Sequence, residues 1–191
     1  MLPLMLDIAK GKILLVGKGA ALKQRYTLLM QAGVTDLTIY VPEAEDAAVL
    51  FEGADKTRSV KVHVGVPGDG DVADALLLMV AGIDEAIAEQ FASLARSHNV
   101  LVNVEDNKRL CDFYMPSLVR RGDLVLAIST GGKSPGLARR LRLKLEDMFG
   151  PEWEARLEQI ATLRKQWRND GIELKQLSTK TDELIDKENW L

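Results

Sequence analysis

Positive charge is concentrated in one part of this sequence. Residues 108–144 contain nine basic side chains against two acidic ones, a balance of +7, whereas the whole chain carries −3. Such asymmetry concentrates positive potential in one segment and would attract an anionic ligand. A solvated basic helix face without any ligand explains the charge equally well. Charge alone therefore marks a candidate binding segment and does not choose between the two interpretations.

Polar residues follow two apolar runs in or beside that segment. Asn103-Val-Glu-Asp106 lies at the end of the predicted strand 100–103, and Ser129-Thr-Gly-Gly132 follows the predicted strand 124–128. Asp106 has the chemistry of a general base. A turn-forming or capping aspartate is the alternative when Asp106 is considered without further context.

The second of these polar segments leads into a helix. Ser134 is a good N-cap and Pro135 a good first helical residue, so we predict a helix from Pro135 to about Phe149. The free amides at its N-terminus can bind an anion, and Lys133 and Arg139 add positive charge beside them. A well-capped helix without a ligand is the alternative interpretation.

A glycine turn near the start of the chain indicates a nucleotide site. The apolar run 12–16 predicts a buried strand, and Gly17-Lys-Gly-Ala-Ala21 leads from it into a helical pattern that ends at Gly33. Gly17 would permit a tight turn, and Gly19 would let the backbone approach a pyrophosphate at the helix N-terminus. Leu22 stands where this fingerprint usually has glycine or alanine, which predicts a helix displaced from the strand or bent.

Two more strand ends complete the predicted cofactor site, for which the candidate residues are Gly17, Lys18, Gly19, Ala20, Ala21, Val41, Pro42, Glu43, Ala81 and Gly82. Strand 37–41 precedes Pro42 and Glu43, and Glu43 lies 24 residues after Gly19, near the spacing at which an acid reaches the adenine ribose. An ordinary exposed glutamate fits equally well. Strand 75–80 ends at Ala81-Gly82, where small residues would let a nicotinamide ribose lie against the backbone.

Strands and helices alternate along the first part of the chain. A further strand is predicted at 60–66, a loop at 67–71 and an amphipathic helix at 84–98. This alternation predicts an α/β fold with a Rossmann-like doubly wound parallel sheet, with ligands at the carboxyl ends of the strands. After residue 150 the composition changes, and helices are predicted at 152–169 and, more weakly, at 181–190, joined by a polar linker or cap at 178–181.

Composition limits the class of protein. The chain has 191 residues, 47% of them hydrophobic and 28% charged, which is typical of a folded globular protein. Its longest apolar runs are too short to cross a bilayer, and the N-terminus lacks the features of a signal peptide, so we expect a cytoplasmic protein without a membrane partner. The single cysteine, Cys111, allows no internal disulfide and no cysteine-cluster metal site, and we expect it to act as a small buried hydrophobe.

Four sequence segments, in this order and spacing, resemble the precorrin-2 dehydrogenase and sirohydrochlorin ferrochelatase family, the N-terminal half of sirohaem synthase and its stand-alone relatives. They are LLVGKGAALKQR near the start, NVEDN at 103–107, FYMPS at 113–117 and ISTGGKSPGLARRLR at 128–142. The resemblance covers roughly residues 1–150. The last two segments are specific in combination, so the identification does not depend on the glycine turn.

The resemblance implies a chemistry and an organisation. Family members oxidise precorrin-2 to sirohydrochlorin with NAD, and bifunctional members then insert ferrous iron to give sirohaem. The family pattern implies an NAD-binding Rossmann-like domain (1–112), a dimerisation segment with the tetrapyrrole-binding region (113–149) and a C-terminal helical domain (150–191). It also implies a homodimer and a tetrapyrrole substrate, with ferrous iron as a second substrate in bifunctional members. Because the sequence has no nucleic-acid motif and no basic net charge, we expect no nucleic-acid partner.

The resemblance also assigns site residues. Asp106 matches the catalytic aspartate of the family. The implied substrate-binding residues are Asn103, Ser129, Thr130, Gly131, Gly132, Lys133, Ser134, Arg120 and Arg139, and no resident metal is expected. A tetrapyrrole with several acetate and propionate groups complements the basic side chains in this set. Glu105 is expected to point away from Asp106 because side chains alternate along a strand.

Two other functions compete with the dehydrogenase. A tetrapyrrole-binding or chelatase-only homologue that has lost dehydrogenase activity is motivated by Leu22 and by Ile83, which stands where relatives usually have a polar residue. The segment 46–74 matches little of the family pattern. A nucleotide-sensing regulatory domain would need a partner channel or a DNA-binding element, and the sequence shows neither a nucleic-acid motif nor a basic net charge.

Overall fold

The computed structural model describes residues 2–48, 50 and 59–191. The chain divides into two units, Leu2–Tyr114 and Met115–Leu191, referred to below as the N-terminal and C-terminal units. The predicted division into three parts, at 112 and 149, stays a prediction. In neither unit does a described helix combine the length and apolar content needed to cross a bilayer.

The N-terminal unit alternates strands and helices. In chain order its elements are β1 (Lys12–Gly17), α1 (Gly19–Gln31), β2 (Asp36–Val41), α2 (Ala44–Ala48), β3 (Ser59–Val64), α3 (Asp69–Ala73), β4 (Leu77–Ala81), α4 (Glu85–Ser97) and β5 (Leu101–Val104), with 3-10 turns at Ile8–Lys10 and Lys108–Leu110. The segment predicted as a loop at 67–71 was interpreted incorrectly, because it runs into α3. Its acidic residues lie in the first turn of that helix, where the helix dipole favours negative charge.

The five strands form one parallel sheet in the order β3-β2-β1-β4-β5. The chain moves outward from β1 through β2 to β3 and then returns to place β4 on the other side of β1. The gap between β1 and β4 is therefore the topological switch point, where open α/β sheets bind ligands at the carboxyl ends of their strands. This arrangement confirms the predicted doubly wound parallel sheet.

The sheet is buried on both faces, as its continuous apolar strands require. Leu14 and Val16 of β1 belong to a core cluster with residues of α4 such as Phe91. The alternate residues Ile13 and Leu15 are also fully or almost fully buried, and they face the opposite side, where α1 packs. Each such side chain contributes roughly 1.5–3 kcal/mol when it is removed from water.

The outer edge of β5 is covered by the segment that follows it. The Asp112 amide donates to the Val102 carbonyl (2.8 Å), and the Val102 amide donates to the Asp112 carboxylate (3.1 Å). The Val104 amide donates to the Cys111 sulfur (3.2 Å), and Cys111 packs half-buried against the core. Cys111 therefore has a structural position at a sealed sheet edge.

The C-terminal unit begins with a hairpin and continues with helices. Its elements are β6 (Ser117–Arg121), β7 (Leu124–Ile128), α5 (Pro135–Met148), α6 (Glu152–Asn169) and α7 (Leu174–Lys187). β6 and β7 form a separate antiparallel pair, joined through Gly122 at φ 56°. The strand predicted at 124–128 is confirmed, but β6 was not predicted.

The helical hairpin at the C-terminus differs in one respect from the prediction. The residues interpreted as a linker at 178–181 lie inside α7, so that interpretation was wrong. The hydroxyl of Thr181 donates to the Leu177 carbonyl one turn earlier (2.8 Å), which keeps this polar side chain compatible with a helix. The Arg164 guanidinium also contacts that hydroxyl (3.1 Å) and joins α6 to α7.

Candidate functional site

The turns after β1 and β4 contact each other at the switch point. Gly17 is in register with Ala81, and a Cβ atom on Gly17 would lie 2.4 Å from the Ala81 carbonyl oxygen. A Cβ atom on Gly82, whose φ is 67°, would lie 2.6 Å from the Lys18 carbonyl oxygen. The Lys18 amide donates to the Ala81 carbonyl (3.1 Å). Only glycine at both positions allows the two turns to approach this closely.

Gly19 opens α1 in a left-handed conformation. Its φ is 61°, and a Cβ atom there would meet nothing within 4 Å, so the requirement for glycine is conformational and the backbone is open to a ligand. Lys18, the N-cap residue, makes no side-chain cap. The Gly19 amide instead donates to the carboxylate of Asp46 from α2 (3.0 Å). An anionic oxygen thus already lies at this helix N-terminus.

Leu22 does not disturb the glycine turn. It is fully buried in the core, so the sheet-facing side of α1 accommodates it. The close contact between α1 and the neighbouring turn is made one residue earlier, because the Ala21 Cβ lies 3.4 Å from the Cβ position of Gly82. Ile83 packs half-buried against the core. The displacement of α1 predicted from Leu22 is therefore unnecessary.

The acidic residue that reaches the glycine turn is Asp46. Val41 is buried, Pro42 is half-buried, and Glu43 is exposed with its carbonyl accepting from the Asp46 amide (3.2 Å). Sequence reasoning selected Glu43 by its spacing and did not select Asp46. The available signal was weak, since Asp46 is only the third acidic residue after β2 and lies 27 residues from its partner Gly19.

Asp106 lies in a turn beyond the end of β5. The strand ends at Val104, so the side-chain alternation expected at Glu105 and Asp106 does not extend to them. The Glu105 carboxylate accepts from the Gly82 amide (3.2 Å) and so faces the end of β4. Asp106 is exposed and left-handed, at φ 55°. Aspartate tolerates that conformation better than most residues, and such strained positions are frequent at functional sites.

Asn103 is a buried polar residue near the same edge. Only 4% of it is exposed, and its amide nitrogen donates to the Phe113 carbonyl (2.8 Å). Its side-chain oxygen has no hydrogen-bond partner in the described part of the chain. One side of the amide therefore fixes the segment after the Lys108–Leu110 turn. The role of Asn103 in binding a substrate stays a prediction.

The Asp71 carboxylate stabilises the turn at the start of α3 in the N-terminal unit. Asp71 accepts from the Gly68 amide (2.9 Å) and from the Tyr40 hydroxyl (2.8 Å). The Gly68 amide, followed by the Tyr40 hydroxyl, lowers the pKa of Asp71. Burial and the bond to Asp71 raise the pKa of Tyr40. This pair holds the N-terminus of α3 against the sheet.

Six of the predicted substrate residues, 129–134, form the turn that precedes α5. The Thr130 hydroxyl donates to the Ser134 carbonyl (3.1 Å) and accepts from the Ser134 amide (3.2 Å). Gly131 and Gly132 are left-handed, at φ 65° and 78°. The Ser134 hydroxyl accepts from the Leu137 amide (3.2 Å), which confirms the predicted N-cap. These contacts make a compact turn before the helix.

The basic side chains of the C-terminal unit differ in their exposure to solvent and in the hydrogen bonds that they make within the protein. Lys133 and Arg139 are exposed, and Arg120 is half-buried on β6. Arg121 instead donates to the carbonyls of Phe149 (2.8 Å) and Glu146 (3.3 Å), so it caps the C-terminus of α5.

The structure brings together two sets of the predicted site residues, one in each unit. The structure brings Gly17, Lys18, Gly19, Ala81 and Gly82 together at the switch point, and it brings Ser129 to Ser134 together before α5. Among the described residues no group of three or more histidine, cysteine, aspartate or glutamate side chains is placed to hold a metal ion.

Comparison with protein families gives two matches. Residues 4–117 match the family described as putative NAD(P)-binding, and residues 121–148 match the family described as sirohaem biosynthesis protein central. The first match covers the whole sheet and the switch point. The second covers β7, the turn before α5 and all of that helix.

Individual proteins give the same result. The chain is 36% identical over 160 residues to siroheme synthase of Nitrosococcus oceani and 34% identical over 167 residues to that of Methylococcus capsulatus. These alignments cover 84% and 87% of this chain, but the chain spans only about a third of those proteins (33% and 34%). The solved structure of SirC, precorrin-2 dehydrogenase, superposes with a TM-score of 0.76 at 23% identity, covering 100% of this chain and 92% of that one.

Proposed function

This chain belongs to the putative NAD(P)-binding family that includes part of siroheme synthase, and on that premise we propose that it oxidises precorrin-2 to sirohydrochlorin with NAD. The observation that carries the proposal is the close approach of the Gly17 and Gly82 turns at the switch point, with Asp106 following the adjacent strand. Dinucleotides bind at this position in doubly wound sheets.

The residues at the switch point fit a dinucleotide. Gly19 exposes its backbone at the start of α1, and the neighbouring Lys18 and Ala20 are also exposed. Gly17 to Ala21 would hold the pyrophosphate, Val41 to Glu43 the adenine ribose, and Ala81 and Gly82 the nicotinamide ribose. When bound, NAD supplies a hydride acceptor. Glu43, the acid proposed to reach the adenine ribose, favours NAD over NADP, because its charge would repel a 2′-phosphate.

Asp106 acts as the general base in this proposal. Conversion of precorrin-2 to sirohydrochlorin removes one hydride and one proton, and the Asp106 carboxylate accepts the proton. Its exposure beside the end of β4 supports this role. In a ferrochelatase reaction the same carboxylate would accept the protons that leave the pyrroles when ferrous iron, as substrate, is inserted.

The C-terminal unit supplies the substrate contacts. Lys133, Arg139 and Arg120 would pair with the acetate and propionate groups of the tetrapyrrole, and the amides of the turn at 129–134 would add hydrogen bonds. Asn103, at β5, completes the proposed set of substrate-binding residues. We further propose that residues 113–149 form a homodimer interface and that the protein acts in the cytoplasm.

Turnover in an Asp106→Asn variant tests the proposal. Purified protein is incubated anaerobically with precorrin-2 and NAD, and NADH is followed by its absorbance. We expect the rate to fall about 10²–10⁴-fold, the usual contribution of a positioned base. Asparagine also tolerates the left-handed backbone at this position, so the turn should persist.

The matched control is Asp74→Asn, which also removes one exposed carboxylate. Asp74 precedes β4 and so lies near the amino ends of the strands, away from the switch point. The Asp74→Asn change should leave the rate unchanged. Equal rates in wild type and Asp106→Asn would remove Asp106 from the mechanism.

A second candidate function is supported by the contact between Asp46 and Gly19. Because the Gly19 amide is already bonded to a carboxylate, a homologue that binds tetrapyrrole or inserts iron without using NAD fits the same geometry. Failure of the wild-type protein to form NADH, together with binding of sirohydrochlorin, would favour this candidate.

A further inference from the structure

We propose that the Asp46 carboxylate competes with the cofactor's pyrophosphate for the Gly19 amide and thereby weakens the affinity of the protein for NAD. The inference deepens the proposed function and rests on its assignment of the pyrophosphate to the turn after β1. It assigns Asp46 a role different from that of an acid that binds the ribose.

The first argument is the chemistry of the contact. A carboxylate oxygen of Asp46 accepts from the Gly19 amide at 3.0 Å, as a phosphate oxygen at the start of α1 would. The first turn of α1 contains no acidic residue, and Lys18 provides no side-chain cap. Asp46 therefore supplies the negative charge that this helix N-terminus favours. A pyrophosphate directed at the same amide has to displace it.

The second argument is that displacement requires little rearrangement. The backbone of Asp46 is held within its own turn, by its amide donating to the Glu43 carbonyl (3.2 Å). The contact with Gly19 is made by the side chain and is exposed to solvent. A rotation of the Asp46 side chain would free the amide and leave the displaced carboxylate hydrated.

The third argument is electrostatic. A displaced Asp46 carboxylate would remain on α2 near the turn after β1, and its negative charge would repel the bound pyrophosphate. Removing the charge should therefore tighten NAD binding through both the lost competition and the lost repulsion. From the usual strength of a charge at a helix N-terminus, we expect affinity to increase about two- to fivefold.

The experiment compares ligands with and without phosphates. Binding of NAD and of adenosine is measured by calorimetry for the wild type, Asp46→Asn and Asp46→Ala, with Glu45→Gln as the matched control from the same helix. NAD should bind more tightly to both Asp46 variants and equally to Glu45→Gln. Adenosine, which has no phosphate, should bind all four proteins equally. Circular dichroism confirms that each variant is folded.

The remaining outcomes distinguish failure of the inference from failure of the dehydrogenase proposal. Equal or weaker NAD binding by the Asp46 variants overturns the inference, and binding by the wild type then still supports the cofactor assignment. A matching increase in adenosine affinity would show that the effect of Asp46 does not depend on the pyrophosphate, which also overturns the inference. If only the Asp46 variants bind NAD, the inference stands and the dehydrogenase proposal fails. If no protein binds NAD, both fail.

Discussion

Two carboxylates of the N-terminal unit accept a hydrogen bond from a glycine amide at the start of a helix. Asp46 accepts from Gly19 at 3.0 Å, and Asp71 accepts from Gly68 at 2.9 Å. The two bonds are alike in length and chemistry. They differ in where the carboxylate comes from, since Asp71 lies three residues from its partner and Asp46 lies 27 residues away.

The surroundings of the two carboxylates differ even more. Asp71 also accepts from the Tyr40 hydroxyl, and the Tyr40 ring is buried in the core and stacked on His63 at 5.1 Å. Asp71 therefore joins α3 to β2 and, through the aromatic stack, to β3. Asp46 contacts a turn that is open to a ligand. The Asp71–Gly68 bond is therefore part of the fold, whereas we expect a ligand to be able to replace the Asp46–Gly19 bond.

Replacement of Asp71 by alanine should produce the largest loss of stability. The change removes the acceptor for both Gly68 and Tyr40, and it leaves the Tyr40 hydroxyl without its partner beside the core. We expect the free energy of unfolding to fall by about 1–3 kcal/mol, as measured by urea titration. The exposed Asp74→Ala change at the end of α3 should alter it by less than about 0.5 kcal/mol. Similar losses in the two variants would mean that Asp71 has no special structural role.

The pH dependence of the free energy of unfolding should also show the structural role of Asp71. The pKa of Asp71 is lowered in the folded state from its ordinary value of 3.8, so its stabilising contribution is complete above that value. The contribution is lost as the pH falls from 3.8 through the lowered folded-state pKa, because over this interval the unfolded state binds a proton that the folded state does not. The charges of Lys12 and His63 also lower the pKa of Asp71.

The Asp71→Asn variant isolates this effect. Asparagine can accept one of the two hydrogen bonds and does not titrate, so the acid limb of stability against pH should be shallower in the variant than in the wild type. Urea titrations at pH values from about 6 down to about 3 provide the measurement. Parallel acid limbs would show that other carboxylates dominate acid unfolding.

Local patterns predicted the sheet because its strands are continuous apolar runs. Burial on both faces of a parallel sheet produces such runs at β1 and β4, and glycines mark their ends. β6 was missed because it ends in the charged residues Arg120 and Arg121, and its pairing with β7 depends on a hairpin turn at Gly122. Residues 178–181 of α7 are all polar, so their composition favoured a linker over a helix.

The glycine turns of the site were predictable, but the partners of their amides were not. Gly17, Gly19 and Gly82 follow strands in the sequence, and a parallel sheet brings its strand ends to one edge. The contacts of Asp46 with Gly19 and of Glu105 with Gly82 join residues 27 and 23 positions apart. Spacing can select the acidic residues after β2 as a group. Which of them reaches the turn depends on the path of α2, which sequence periodicity does not describe.

The smallest expected effect on stability is that of Asp46→Ala. Because the Gly19 contact is exposed, water can replace the carboxylate, and the free energy of unfolding should change by no more than about 0.5 kcal/mol. The measurement is the same urea titration, made without NAD and beside Asp71→Ala. A loss as large as that of Asp71→Ala would make Asp46 a structural cap of α1, and tighter NAD binding could then not be attributed to a freely exchangeable carboxylate. If Asp46→Ala leaves the free energy of unfolding unchanged and tightens NAD binding, Asp46 and Asp71 have different functions. A ligand can replace the Asp46 contact without unfolding the turn only because that contact contributes little to the stability of the fold.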